Sequence, residues 1–141
     1  TAGSLYLIKK QLKDNVIVTN CDVLFLINYK SLIEYHIKNK SDFTIVVCKK
    51  KHQIPYGVFE INKKIKFVKL SEKPNVDLLV NAGLYILNKS VLNLIKKQQY
   101  LDMTDLIIKA KKSKLNISLF PVSEDCWIDI GQWDEYKKIM D

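Results

Sequence analysis

The 141-residue sequence predicts an α/β fold, a three-layer sandwich around a mixed, mostly parallel sheet. Short apolar runs rich in β-branched residues, such as "VIVT" and "FTIVV", have the length and composition of buried strands. They alternate with longer segments whose apolar residues recur at helical spacing. The length fits one domain with a reasonable core.

The elements follow in order. Residues 3–12 read as the end of a helix, with Leu5, Ile8 and Leu12 on one face. Residues 15–20 are a buried strand. Segment 28–39 is a helix carrying Leu32, Ile33, Tyr35 and Ile37, with Asn28 or Ser31 as its N-cap. "DFTIVVCKK" at 42–50 is another buried strand. Residues 56–62 and 64–70 form a half-exposed antiparallel hairpin, because Val58, Glu60 and Asn62 alternate with Phe59 and Ile61. A strand at 78–87 precedes helices near 89–98 and 103–113. Strands at 115–121 and 126–129 follow, and "GQWDEYKKIMD" closes the chain as a helix.

Composition narrows the function classes. The hydrophobic fraction of 48% and charged fraction of 27% are ordinary for a soluble globular protein. No apolar run approaches the roughly 18 residues needed to span a bilayer, and no signal pattern opens the chain, so no membrane partner is expected. The sequence starts on "TAGSLYL" without an initiator Met. Cys21, Cys48 and Cys126 have no zinc or disulfide spacing, which points to a reducing cytoplasm. The net charge of +8 comes from 23 lysines and no arginine. Arginine is the favoured side chain for bidentate base readout, and these lysines are scattered, so a solvated surface is favoured over a nucleic-acid partner.

The informative residues are polar ones inside apolar surroundings. Asp22 sits in "VIVTNCDVLFLI" and Asp129 in "CWIDIGQWDE". A buried carboxylate needs a partner or a metal. Asp129 is also a natural N-cap for a helix starting near Gly131. Two aspartates at strand ends could instead converge at the carboxyl edge of a sheet, where open α/β folds bind ligands and where phosphate oxygens would complete a magnesium shell. Gly57, Gly83 and Gly131 lie in or beside strands, as at bulges or close backbone approaches. Glu72 and Lys73 in "SEKPN" suit hydroxyls and a phosphate, or simply form an exposed charged loop. Asn81 interrupts "LLVNAGLYIL" and must find hydrogen-bond partners.

Five motifs, "NCD", "PYGV", "SEKP", "VNAGLYIL" and "WIDIG", spread over 20–131, resemble in order and spacing those of sugar-phosphate nucleotidyltransferases. "TAGSL" resembles the tail of that family's L-G-T-A-G-A-L segment, and with "QIPYGV" it is most similar to the guanylyltransferase-like branch. The resemblance implies a Rossmann-like fold and attack of a sugar 1-phosphate on the α-phosphorus of a nucleoside triphosphate, releasing pyrophosphate. It implies Asp22 and Asp129 as Mg2+ ligands, and Asp22, Lys73 and Asp129 as the catalytic set. Tyr56, Gly57, Glu72, Lys73, Asn81 and Gly83 would bind the sugar phosphate, and Ala2 and Gly3 the nucleotide.

Two departures stand out. Cys21 replaces the usual glycine of N-G-D, and the family's G-x-G-T-R…P-K triphosphate loop does not occur in these residues. The resulting expectation is a partial domain, residues 1–141, carrying the sugar-binding and metal-binding portion and inactive alone. A strand missing beside 15–20 would leave an apolar edge there, favouring association with another chain, such as a homo-oligomer. The alternative is a non-catalytic sugar-phosphate-binding or regulatory paralogue.

Overall fold

The structure, a computed structural model, describes residues 2–12 and 14–131. After a 3-10 turn at Ala2–Ser4, the elements are α1 (Leu5–Ile8), β1 (Asn15–Thr19), β2 (Val23–Phe25), α2 (Tyr29–Lys38), β3 (Phe43–Gln53), β4 (Gly57–Ile61), β5 (Phe67–Glu72) and β6 (Asn75–Asn88). Then follow α3 (Lys89–Leu92), α4 (Met103–Lys112), β7 (Ile117–Val122), a 3-10 turn at Glu124–Cys126, and β8 (Trp127–Asp129). The helix expected beyond Gly131 lies outside the described residues.

The main sheet has the order β1-β6-β3-β7. It is mixed, as expected, but not mostly parallel: only β3 and β7 run parallel, while β6 is antiparallel to both β1 and β3. The connections explain this. β3 and β6 are the two stems of one excursion that carries the β4–β5 hairpin, and a chain returning directly comes back antiparallel. The parallel partner β7 is reached through the helical crossover of α3 and α4.

Strand burial separates the sheet's two faces. On one, Phe43, Ile45, Tyr85 and Leu87 pack with Leu5, Leu92 and Leu106. On the other, Val46, Cys48, Leu84 and Ile86 pack with Leu32, Phe25 and Trp127. This gives the three layers. The strand predicted as buried at 15–20 is instead an edge strand, with Ile17 41% exposed and Val16 and Val18 half-buried.

Other elements shift in extent. The helix read at 3–12 is a single turn of α helix, and the one read at 89–98 is α3 alone, capped where the Asn88 side chain accepts from the Ser90 N–H. Asn28, not Ser31, caps α2 and accepts from the Ser31 N–H. The hairpin stands as its own two-stranded sheet. The "VIVTNCDVLFLI" run is two strands in two different sheets, β1 and β2, broken at Asn20–Asp22.

His36 is a buried polar residue on α2. Its Nδ1 lies 2.7 Å from Thr44 Oγ1 and its Nε2 lies 3.3 Å from Asn15 Oδ1, tying α2 to β3 and β1. Burial lowers its pKa, and the nearby Asp42 carboxylate partly opposes this. Among the described residues, no helix is long and apolar enough to cross a membrane.

Candidate functional site

β1 ends at Thr19, and the chain turns through Asn20, Cys21 and Asp22 before entering β2. β2 pairs antiparallel with β8, placing Val23 opposite Asp129, and the Ile130 N–H donates to the Asp22 carbonyl at 2.9 Å. This short ladder brings the two aspartates together. A Cβ built on Gly131 would lie 3.1 Å from Asp22 Oδ2 and 3.2 Å from Asp129 Oδ1, so the two oxygens are no farther apart than the sum of those distances. The Gly131 N–H also donates to Asp129 Oδ1 at 3.2 Å. Glycine here leaves room for two carboxylates to share one space.

Among the described residues no lysine pairs with either aspartate, and no third His, Cys, Asp or Glu joins them as a metal cluster. Two carboxylates with open space between them fit Mg2+, which commonly takes one or two carboxylates and completes its shell with water and phosphate oxygens.

Asp22 lies in the wall of a cleft of about 440 Å³ whose lining includes Ala2, Ser4, Asn20, Cys21 and Met103. Beside it, the Gly3 N–H donates to the Leu101 carbonyl at 3.0 Å, and a Cβ on Gly3 would collide with the Gln99 carbonyl oxygen. Glycine lets the first turn sit flat against the 99–101 segment. Cys21 is an exposed thiol in the cleft wall. Cys48 is buried, and burial pushes its thiol pKa up, with Glu124 adding to the effect.

Gly83, on β6, lies against the side chain of Asn20, which lines the cleft. It has φ +84 inside a long strand, a conformation that glycine adopts without strain. Its N–H donates to Asn81 Oδ1 at 3.2 Å, and Asn81 Nδ2 donates to the Tyr85 hydroxyl at 2.8 Å. Asn81 is thus an internal brace, the partnered amide that its strand position demanded. Burial raises the Tyr85 pKa, and the Asn81 hydrogen bond partly offsets that.

The hairpin gathers a second group. Gly57 pairs with Glu72 across β4 and β5, and a Cβ at Gly57 would lie 3.0 Å from Glu72 Oε2. The Lys73 N–H donates to the Tyr56 carbonyl at 3.2 Å, with Lys73 at φ +44. Tyr56, Gly57, Glu72 and Lys73 therefore form one cluster. Asp22 and Ala2 line the other region, where Asp129 meets Asp22 over Gly131 and Gly83 backs Asn20. The cleft wall beside Asp22 contains none of Gly57, Glu72, Lys73 and Asn81; Asn81 lines a separate apolar depression with Ile45, Val47 and Ile107. Sequence reasoning passed over Asn20, although it stands in the quoted "NCD" motif.

Known proteins share this arrangement of chain. A mannose-1-phosphate guanyltransferase of Candida glabrata is 36% identical over 94% of this chain and 38% of its own length. A D-glycero-alpha-D-manno-heptose 1-phosphate guanylyltransferase of Aneurinibacillus thermoaerophilus is 27% identical over 92% of this chain and 56% of its own. The crystal structure of HddC from Yersinia pseudotuberculosis superposes with a TM-score of 0.66 at 24% identity, covering 98% of this chain and 60% of that one. The chain thus spans 38% to 56% of these two curated relatives. The profile of the nucleotidyl transferase family matches residues 1–141. This chain belongs to the nucleotidyl transferase family.

Proposed function

We propose that this chain is the sugar-phosphate-binding and metal-binding part of a cytoplasmic guanylyltransferase, one that joins the nucleoside monophosphate of GTP to a sugar 1-phosphate and releases pyrophosphate. The observation that carries this reading is the convergence of Asp22 and Asp129 on Gly131. Family membership and guanylyltransferase relatives support it.

In this reading Asp22 and Asp129 hold Mg2+. When bound, the ion neutralises charge on the reacting phosphates. The protein's own groups do the positioning. Ala2 and Gly3 offer a close backbone surface to the nucleotide, held by the Gly3–Leu101 hydrogen bond. Glu72 accepts from sugar hydroxyls beside Gly57, where no side chain intervenes. Lys73 is a mobile cation for the sugar phosphate, and its charge favours the transition state as negative charge gathers. Asn81 braces the β6 backbone at Gly83, which in turn seats Asn20 in the cleft wall. The hairpin carrying Glu72 and Lys73 joins the main sheet through the long paired stems of β3 and β6.

The test is calorimetric titration of mannose 1-phosphate and GTP, each with Mg2+, into the 141-residue chain. Saturable binding of mannose 1-phosphate that Asp22→Asn weakens supports the reading. Binding of neither ligand would refute it.

A further inference from the structure

The β4–β5 hairpin is a separate two-stranded sheet, and an isolated pair of strands is marginal in water unless another layer covers it. Its two faces differ. Strand alternation puts Phe59 and Ile61 of β4 on the same face as Leu70 and Phe67, their partners on β5. The Phe59 and Phe67 rings meet edge to face, with centroids 6.1 Å apart. The other face carries the Glu60–Lys69 pair.

The apolar face is open. Phe59, Ile61, Phe67 and Leu70 are 63%, 57%, 66% and 48% exposed. At roughly 180 Å² for a fully exposed side chain of this size, they leave about 400 Å² in water, the scale at which an apolar patch marks an interaction site. That is about half of the roughly 800 Å² that each partner of a stable complex buries. Ile65 at the tip and Val68 at the register shift add exposed apolar surface around it.

The two ends of this stripe carry opposite charge. At the tip, Asn62 Oδ1 accepts from the Lys64 and Lys66 N–H groups, fixing a turn on which Lys63, Lys64 and Lys66 are exposed. At the base, the Glu72 carboxylate lies over Gly57: a Cβ there would be 3.0 Å from Glu72 Oε2 and 3.3 Å from Leu70 Cδ1. A surface with an apolar middle, a basic end and an acidic end complements itself when turned end for end. An anionic lipid surface would attract the tip but repel Glu72.

We infer that this face is a self-association surface, covered by the same face of a second copy of this chain in an antiparallel two-fold pair. The two hairpins stack as sheets do, about 10 Å apart, with the tip lysines of each copy near Glu72 of the other. This surface is distinct from the β1 edge.

The experiment is sedimentation equilibrium of the 141-residue chain from about 1 to 500 µM, because an interface of this area falls in the weak, micromolar range. No sugar phosphate is added, since the functional reading also gives Glu72 to the sugar, and the outcome is therefore independent of that reading. Wild type should show a monomer–dimer equilibrium. Phe59→Asp, with a thermal melt confirming that it is folded, should weaken the dimer about tenfold or more. Glu60→Gln, on the opposite face, should leave it unchanged. Lys64→Glu and Glu72→Lys should each weaken it severalfold, and the two together should restore most of the loss. Wild type that stays monomeric throughout overturns the inference, and co-sedimentation of that monomer with phosphatidylserine vesicles would give the face to a lipid surface instead. A dimer that Ile17→Asp abolishes and Phe59→Asp leaves intact overturns it in favour of the β1 edge. Failure of the double charge exchange to restore association overturns the antiparallel arrangement.

Discussion

Asp22 and Asp129 are 107 positions apart in the chain, yet both reach the same few cubic ångströms above Gly131, with Asp22 Oδ2 at 3.1 Å and Asp129 Oδ1 at 3.2 Å from where a Cβ would stand. The β2–β8 ladder makes this juxtaposition, with Val23 opposite Asp129. Two carboxylates held this way repel one another, and a divalent cation relieves the repulsion.

Gly131→Ala tests the space between them. Its methyl group would stand in tight contact with both carboxylates and push them apart. Mn2+ affinity, read by electron paramagnetic resonance in the presence of GTP, should fall severalfold while the melting temperature changes little. Asp22→Asn and Asp129→Asn should each weaken binding more, by removing a ligand charge. Full Mn2+ affinity in both Asn variants would remove the metal from this site.

Much of this was legible in the sequence, and the failures have physical causes. β3 and β6 were plain because their inner halves, 43–48 and 82–87, are buried and read as mainly apolar runs. Their direction was not, since such a run looks the same in a parallel or an antiparallel ladder. β2 was hidden because Val23, Leu24 and Phe25 continue an apolar stretch whose only break is Asn20–Asp22. The aspartates drew attention as carboxylates expected to be buried, but Asp22 is exposed and Asp129 only half-buried, because the chain turns at Asn20–Asp22 and β8 ends at Asp129. His36 was missed because its reasons, Thr44 and Asn15, lie on other strands.

His36 makes stability depend on pH in a definite direction. Burial lowers its folded pKa below the ordinary 6.5, so between those two values the unfolded chain binds more protons than the folded one. The stabilisation is therefore present above about pH 6.5 and is lost as pH falls toward the folded pKa. The charged groups acting on the ring include Asp42, which narrows the window. Urea midpoints at pH 7.5 and pH 5.5 should show the loss in wild type and a smaller one in His36→Gln. An equal pH dependence in the two proteins would rule out this origin.

Leu32 is the one fully buried apolar residue of α2, whose other buried side chain is His36. Ile33 and Ile37, predicted on the apolar face, are 39% and 60% exposed. The helix is therefore anchored at a single aliphatic point against Val46, Leu84 and Ile86. Leu32→Ala should cost about 2–5 kcal/mol in urea unfolding, through lost burial and the cavity left behind. Ile37→Ala should cost well under 1 kcal/mol, as surface changes do. Comparable losses would mean that Ile37 is covered in solution.

The last prediction concerns turnover. In the proposed reaction the triphosphate must be held in line with the sugar phosphate, and its charge offset before reaction. The candidate groups here supply the sugar side: Glu72, Lys73, and the Asp22–Asp129 pair. For the triphosphate side, the 141 residues contain no G-x-G-T-R…P-K segment. Backbone N–H groups of such a loop, with its cations, form the anion cradle of this chemistry. Without them, positioning and charge neutralisation are lost together, each worth several kcal/mol of barrier. The isolated 141-residue chain should therefore bind sugar 1-phosphate yet release no pyrophosphate from any nucleoside triphosphate, across a panel of sugar 1-phosphates with Mg2+. A longer chain carrying that loop should turn over, and Lys73→Ala in it should raise KM for the sugar phosphate more than it lowers kcat. Pyrophosphate release by the verified 141-residue chain would show that residues other than a glycine-rich loop hold the triphosphate, and would send the search back to the cleft wall between Ala2 and Asp22.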